Sequence, residues 1–184
     1  MKNNLEILNI KEPILVDNLL TINDNLNILH YLVNNQTFYI QEESDGLRFR
    51  HAFDNNFSHA GFCSEILKKG DNFNPNSNIL NLYTFIICNK LSEILKFNYR
   101  SISRVHWNYY LTGQEGKGHL DEGKDNFISI LYNPHTTDGG TEILNKVYID
   151  KIGQAKIFKS NWLHRGIATK KDKSRASLNI ILEL

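Results

Sequence analysis

Two histidines and one aspartate in the C-terminal half have residue types and a spacing that could hold a metal ion. His119 and Asp121 are separated by a single leucine, and His164 follows well downstream. Two imidazoles and one carboxylate can occupy one face of an octahedral metal ion. This set suits non-haem Fe(II), because the opposite positions stay open for a co-substrate and dioxygen. Side chains at i and i+2 of a strand project from the same face, so we expect His119 and Asp121 to enter one cavity together.

An arginine lies one short strand beyond the second histidine. The guanidinium of Arg175 could fork onto the far carboxylate of a dicarboxylic acid bound at the metal. Ser177 shares a strand face with Arg175 and could assist, although an ordinary polar strand position is an equal alternative. A zinc hydrolase can also use two histidines and an aspartate with an open water site. It ranks below iron, because there is no His-Glu-x-x-His helix and Arg175 would then have no assigned role.

The elements that must position these residues are short strands. From residue 101 onward, aromatic and β-branched runs alternate with turn signals such as Gly139-Gly140. Many short strands at near-regular spacing are typical of an all-β sandwich or barrel. In such a fold, the strand opened by His164 can lie beside a segment distant in sequence. The predicted strands are 103–111, 127–132, 141–144, 147–149, 155–158, 164–168 and 176–184.

The first hundred residues have a mixed pattern. Apolar residues at helical spacing predict helices over 17–34, with Asp17 as the cap, and over 79–95. Residues 37–40 and 47–50 read as short strands that flank a turn. The predicted fold class is therefore α+β in a single domain, residues 1–184. Helical support and substrate loops occupy about residues 1–100, and a jelly-roll (double-stranded β-helix) core occupies about residues 101–184.

Length and composition indicate an ordinary globular protein. The chain has 184 residues and a formal net charge of +1, so no global basic field favours nucleic acid as a partner. Its two cysteines lack motif spacing, which favours a reducing compartment over a disulfide framework. No signal peptide and no membrane-spanning run is evident, so we expect a soluble cytoplasmic protein without a membrane partner. Nothing in the sequence indicates an oligomeric state.

The C-terminal half also resembles a known family through an ordered series of short motifs. These motifs are Asn108-Tyr109-Tyr110, Gly113-Gln114-Glu115-Gly116, His119-x-Asp121, Tyr132-Asn133-Pro134, Gly139-Gly140-Thr141-Glu142-Ile143, His164-Arg165-Gly166 and Arg175-x-Ser177. In this order they resemble the prolyl-4-hydroxylase-like Fe(II)/2-oxoglutarate-dependent oxygenases, including the short oxygenases of bacteriophages. The resemblance covers about residues 103–184.

The resemblance implies a role for each matching residue. His119, Asp121 and His164 would hold Fe(II), and Arg175 would pair with the distal carboxylate of 2-oxoglutarate. Tyr109 matches a position whose hydroxyl commonly bonds the same co-substrate. The implied activity consumes O2 and 2-oxoglutarate, releases succinate and CO2, and hydroxylates a small molecule, an amino acid or a peptidyl side chain.

Two alternatives remain open from the sequence. Some oxygenases of this superfamily oxidise nucleobases or nucleotides, although the absence of a basic stripe argues against binding to a duplex. A non-catalytic jelly-roll binding module could keep the fold without the chemistry. The complete set of His119, Asp121, His164 and Arg175 argues against such a module, because a lapsed site would be free to lose these residue types.

Overall fold

A computed structural model describes residues 4–35, 39–40, 62–67, 72–73 and 78–184. The strand predicted over 47–50 lies outside the described residues. Among those described, no helix is both long enough and apolar enough to cross a membrane. The helices are α1 (Asn4–Leu8), α2 (Ile22–Asn35) and α3 (Asn78–Leu95). The strands are β1 (Ile14–Val16), β2 (Tyr39–Ile40), β3 (Phe62–Leu67), β4 (Ser101–Leu111), β5 (Phe127–Asn133), β6 (Gly140–Ile143), β7 (Lys146–Ile149), β8 (Gln154–Lys159), β9 (His164–Ile167) and β10 (Ser174–Glu183).

The strands form two antiparallel sheets. The larger has seven strands in the order β1-β8-β5-β10-β4-β3-β2, and the smaller has three in the order β7-β6-β9. Leu131 and Phe158 of the larger sheet pack against Ile143 of the smaller one, so the two sheets face each other across a core. Helices together with a jelly-roll of antiparallel strands confirm the predicted α+β fold class.

The main apolar core lies on the outer face of the larger sheet, where the helices cover it. Strand β4 shows how the chain separates its two faces, because Val105 and Trp107 belong to this core while His106 and Asn108 line a cleft on the other side. Helix α3 buries residues at helical spacing on the sheet, as predicted for residues 79–95. Its buried residues are Leu80, Thr84, Ile87, Cys88, Leu91 and Leu95.

Helix α2 begins five residues later than predicted, and Asp17 does not cap it. The cap is Thr21, whose Oγ1 accepts a hydrogen bond from the Asp24 backbone N–H at 3.1 Å. The Thr21 N–H donates in return to Asp24 Oδ2 at 3.2 Å. This reciprocal capping box satisfies two backbone donors that would otherwise lack partners. Asp17 instead accepts a hydrogen bond from Gln154 Nε2 at 2.6 Å, which ties the segment before α2 to β8.

The N-terminal half also contributes strands to the larger sheet. Strand β1 pairs with β8 at one edge, and β3 pairs with β4 towards the other. The sequence analysis predicted neither β1 nor β3. Strand β1 has only three residues, which is too short for an alternating pattern to be seen.

The packing of α3 on the sheet gives a stability prediction. Leu91 is fully buried in the core, whereas Ile94 on the same helix is 54% exposed. We expect Leu91→Ala to lower the free energy of unfolding by about 2–5 kcal/mol, because it removes buried methyl groups and leaves a cavity. Ile94→Ala is the matched control and should change it by no more than about 0.5 kcal/mol. Urea unfolding of both variants measures the difference, and equal losses would contradict the packing described.

Candidate metal centre and adjoining cleft

The two candidate histidines are brought together by a backbone pairing. The His119 N–H donates to the His164 carbonyl at 3.0 Å, and the His164 N–H donates to the His119 carbonyl at the same distance. Three residues earlier in the segment, the Gly116 N–H donates to the Gly166 carbonyl at 3.0 Å. The segment after β4 therefore runs antiparallel to β9. His119 forms an isolated bridge outside the regular strands, between the predicted strands 103–111 and 127–132.

Asp121 follows in the loop beyond this bridge, and its position completes a three-residue cluster. Its backbone N–H donates to the Ser160 carbonyl at 2.9 Å. One potential ligand atom from each of His119, Asp121 and His164 lies within 4.8 Å of the others. His164 Nε2 is 3.4 Å from Asp121 Oδ2, and His119 Nε2 is 3.8 Å from Asp121 Oδ1. The structure thus groups all three predicted metal ligands.

Hydrogen bonds to backbone carbonyls define which ring nitrogen of each histidine carries a proton. His119 Nδ1 is 2.9 Å from the Lys117 carbonyl, and His164 Nδ1 is 2.9 Å from the Trp162 carbonyl. A carbonyl oxygen can only accept, so both Nδ1 atoms must donate. In a neutral imidazole this leaves the Nε2 lone pair bare, and both Nε2 atoms face the carboxylate of Asp121. Two lone pairs and an anion converging on one point repel one another unless a cation lies between them, so these residues fit a metal ion.

Three strands of the larger sheet hold the Asp121 carboxylate, whose side chain is fully buried. Arg104 Nη2 on β4 donates to Oδ1 at 2.6 Å, and Ser129 Oγ on β5 donates to Oδ2 at 2.6 Å. Asn179 Nδ2 on β10 donates to the two oxygens at 3.1 and 3.3 Å. These bonds fix the orientation of the carboxylate, as partners behind a metal ligand commonly do.

The electrostatic surroundings keep Asp121 ionised. Burial alone would raise the pKa of this carboxyl group, because it disfavours the charged form. Electrostatic interactions with His164 and Arg104 outweigh burial, and the resulting pKa lies well below the usual range. The third candidate ligand is therefore an anion at neutral pH, as a metal carboxylate must be.

A polar cleft adjoins the cluster along the inner face of β4 and β10. The register places three pairs of side chains opposite each other on this face, and neighbouring residues of such a pair lie close enough to interact. The pairs are Arg175 with Tyr110, Ser177 with Asn108, and Asn179 with His106. Ser177 is 1% exposed and lies on the cleft face beside Arg175, as the sequence analysis expected.

Arg175 lines this cleft and is 2% exposed. Its Nε donates to Asp150 Oδ2 at 2.5 Å, and its Nη2 donates to Thr141 Oγ1 at 2.9 Å. Its Nη1 faces Gly166, where an added Cβ would come within 3.1 Å of this atom. The Arg175 guanidinium carbon is 5.8 Å from the centre of the Tyr110 ring. One edge of the guanidinium is thus fixed by protein, and the other is directed to the cleft.

The structure does not bring Tyr109 to the cleft. Tyr109 packs against the main apolar core on the opposite face of β4, and its neighbour Tyr110 lines the cleft instead. The cause is the pairing of β4 with β10, because Tyr110 lies directly opposite Arg175 and must share its face. The motif Asn108-Tyr109-Tyr110 contains two adjacent tyrosines. Because neighbouring residues of a strand point to opposite faces of the sheet, only one of the two can line the cleft.

Several residues of the centre were missed by the sequence analysis. Arg104, Ser129 and Asn179 hold Asp121, and Asp150 holds Arg175. Asn179 offered one signal, since it lies four positions after Arg175 on a strand and therefore shares its face. The other three became identifiable only when the sheet register placed them.

No protein-family model matches the chain, and no curated protein matches it. A prolyl hydroxylase from Trichoplax adhaerens, in complex with a hypoxia inducible factor oxygen degradation domain peptide fragment, is 15% identical with a TM-score of 0.66. The alignment covers 96% of this chain and 85% of that one.

Two further solved structures are similar. The viral collagen prolyl hydroxylase of Paramecium bursaria Chlorella virus-1, as a 2OG complex, is 13% identical with a TM-score of 0.57, over 95% of this chain and 97% of that one. The epimerase SnoN, in complex with Fe3+, alpha ketoglutarate and nogalamycin RO, is 7% identical with a TM-score of 0.68, over 94% of this chain and 78% of that one. At such low identities the likeness is one of fold. The chain has the fold of the prolyl hydroxylases and related 2OG-Fe(II) oxygenases.

Proposed function

We propose that the protein is an Fe(II)- and 2-oxoglutarate-dependent oxygenase. One observation carries the proposal. The Nε2 atoms of His119 and His164 and the carboxylate of Asp121 converge, while both Nδ1 atoms are committed to backbone carbonyls. Two nitrogens and one oxygen from three side chains leave coordination positions open, which is the arrangement that non-haem Fe(II) oxygenases use. The fold shared with a protein solved with Fe3+ and alpha ketoglutarate supports the same choice.

His119, Asp121 and His164 would hold the metal. Fe(II) with bound 2-oxoglutarate supplies the activation of dioxygen, in which the oxo acid becomes succinate and CO2 and an oxygen atom is inserted into a substrate C–H bond. The protein would contribute placement and exclusion of water. Asn179, Ser129 and Arg104 hold the carboxylate ligand in one orientation.

Arg175 would anchor the distal carboxylate of the co-substrate. Its buried guanidinium has two nitrogens bonded to Asp150 and Thr141, and Nη1 faces the cleft. A fixed guanidinium loses little further freedom when it binds a carboxylate, and such charge-assisted bonds are about twice as strong as neutral ones. Tyr110 lies beside Arg175 and is placed to contact the same ligand.

The substrate would be a small molecule, an amino acid or a peptidyl side chain. It would bind against the polar face of β4 and β10 that lines the cleft. Asn108 and Asn179 are buried in this face, and the Oδ1 atom of each lacks a hydrogen-bond partner among the described residues. A buried acceptor without a partner is costly, so these two atoms favour a ligand or a water that donates N–H or O–H groups. The similar prolyl hydroxylase was solved with a peptide fragment and the similar epimerase with nogalamycin RO. A peptide can supply such donors through its backbone N–H groups.

Loss of a candidate ligand should strongly weaken metal binding. We expect His164→Ala to weaken Fe(II) affinity by more than about 100-fold, since even outer-shell partners of metal ligands contribute about 10- to 100-fold. His30→Ala is the matched control, because His30 is an exposed residue of α2. Anaerobic calorimetry measures the affinity, and circular dichroism checks that both variants fold. Unchanged affinity in His164→Ala would remove this residue from the metal site.

Loss of the anchor should affect 2-oxoglutarate far more than the metal. We expect Arg175→Ala to weaken 2-oxoglutarate binding roughly 10- to 100-fold, as the loss of a charge-assisted hydrogen bond predicts. The measurement is an anaerobic titration of the Fe(II)-loaded protein, which follows the visible charge-transfer band of the chelate. Arg175→Lys is a second variant that keeps the charge opposite buried Asp150, and Arg100→Ala is an exposed control. Equal losses of metal and 2-oxoglutarate affinity would contradict the assigned role.

Tyr109 and Tyr110 allow a matched test of which face of β4 lines the cleft. Tyr110→Phe should weaken 2-oxoglutarate binding by about 5- to 10-fold, the usual contribution of one net hydrogen bond. Tyr109→Phe should leave it unchanged, because Tyr109 packs on the opposite face of β4. The same titration serves for both variants. The reverse order of effects would show that the register of β4 places the other tyrosine in the cleft.

A further inference from the structure

A second buried cation lies behind Arg175. Lys156 on β8 is fully buried, and its Nζ donates to Asp150 Oδ1 at 2.8 Å and to Asn133 Oδ1. The other oxygen of Asp150 accepts the hydrogen bond from Arg175 Nε. Asp150 therefore bridges two cations, one on each carboxylate oxygen. We call Lys156, Asp150 and Arg175 the charge bridge.

The charge bridge has one positive charge more than it has negative charge. Burial alone would raise the pKa of Asp150, but the charges of Arg175 and Lys156 lower it, so Asp150 is ionised. His135 lies nearby, but its Nε2 accepts the Ala176 N–H at 2.8 Å, so its ring is neutral and adds no charge. Burial also lowers the pKa of His135. Burial lowers the pKa of Lys156, and the Asp150 carboxylate that accepts from its Nζ opposes this shift. With Lys156 protonated, two cations and one carboxylate lie beside the cleft.

An arginine anchor for a carboxylate does not require this lysine. Arg175 and Asp150 alone would form a neutral, buried pair, and a neutral pair is the less costly arrangement in a protein interior. Lys156 converts that pair into a net positive group. It does so from a strand whose residue Phe158 belongs to an apolar cluster, so the charge is buried beside apolar packing. A buried surplus charge destabilises the fold unless a partner of opposite charge arrives. The charge bridge is therefore suited to an incoming anion.

We propose that Lys156 is a positioning residue that sets co-substrate specificity. By sharing Asp150 with Arg175, it prevents the carboxylate from neutralising the guanidinium. The cleft then favours 2-oxo acids with a second carboxylate over 2-oxo monoacids of equal length. The inference rests on the proposed function, because it assumes that Arg175 anchors the co-substrate. Lys156 itself contacts Asp150 and Asn133 rather than the ligand.

The test compares two probes on the Fe(II)-loaded protein under anaerobic conditions. Calorimetry measures the affinity for 2-oxoglutarate and for 2-oxopentanoate, which has the same chain length but no distal carboxylate. We expect Lys156→Met to weaken 2-oxoglutarate binding by about tenfold, the size expected of one unit charge acting over a few residues at intermediate dielectric. Affinity for 2-oxopentanoate should stay the same, so the selectivity falls by that factor. Lys159→Met, on the same strand and only partly buried, is the control and should change neither affinity.

A second variant separates charge from packing. Lys156→Met combined with Asp150→Asn removes one positive and one negative charge, which returns the net charge of the cluster to that of the unaltered protein. We expect this double variant to regain most of the preference for 2-oxoglutarate. A purely structural role of Lys156 predicts no such recovery. The double variant also carries the test if Lys156→Met does not fold, because it keeps the net charge of the cluster and its loss of the preference would overturn the proposal.

The outcomes distinguish the two proposals. If the unaltered protein binds 2-oxoglutarate selectively and Lys156→Met keeps that selectivity, the role of Lys156 is overturned while the proposed function stands. A double variant that folds but lacks the preference also overturns it. If the unaltered protein binds neither probe, the proposed function fails and the inference fails with it. Reduced selectivity in Lys156→Met with recovery in the double variant supports both.

Discussion

The candidate centre depends on the backbone pairing between His119 and His164. Reciprocal N–H to carbonyl bonds hold the two residues opposite each other, and their ring centres are 4.4 Å apart. Each ring then donates from Nδ1 to the carbonyl two residues earlier in its own segment. The same local geometry on two antiparallel segments presents the two Nε2 atoms side by side. A single structural device, repeated, thus supplies two of the three candidate ligands with a defined tautomer.

The third ligand comes from a different part of the architecture. His164 belongs to β9 of the smaller sheet and His119 pairs with it, whereas the Asp121 carboxylate is held by β4, β5 and β10 of the larger one. A metal bound to all three would therefore link the two sheets. A polar cleft lies between the sheets beside the apolar cluster of Leu131, Ile143 and Phe158. The jelly-roll supplies a cavity there because its core is incomplete on that side, which is a common origin of binding sites in this architecture.

The sequence could predict those parts of the fold and the candidate site that depend on short-range patterns. It could not predict those that depend on how distant strands pair. Short-range patterns identified the strands of the C-terminal half, helix α3, and the residues His119, Asp121, His164 and Arg175. The choice between Tyr109 and Tyr110 required the register of β4 on β10, which no local pattern contains. Lys156 was invisible for a different reason. A lysine in a strand is ordinarily exposed, and only the three-dimensional positions of Asp150 and Asn133 make its burial possible.

The two ends of the cleft are specialised for different parts of one ligand. At one end two imidazole nitrogens and the Asp121 carboxylate face a common point, and at the other the charge bridge is net positive. A ligand that chelates a metal at one end and presents a carboxylate at the other satisfies both, which is the chemistry of a 2-oxo dicarboxylic acid. The wall of the cleft carries Asn108 and Asn179, whose Oδ1 atoms lack a hydrogen-bond partner among the described residues. Proteins with this fold include a prolyl hydroxylase and an epimerase, so one architecture accommodates different reactions, and the residues of the cleft rather than the fold must determine which reaction occurs.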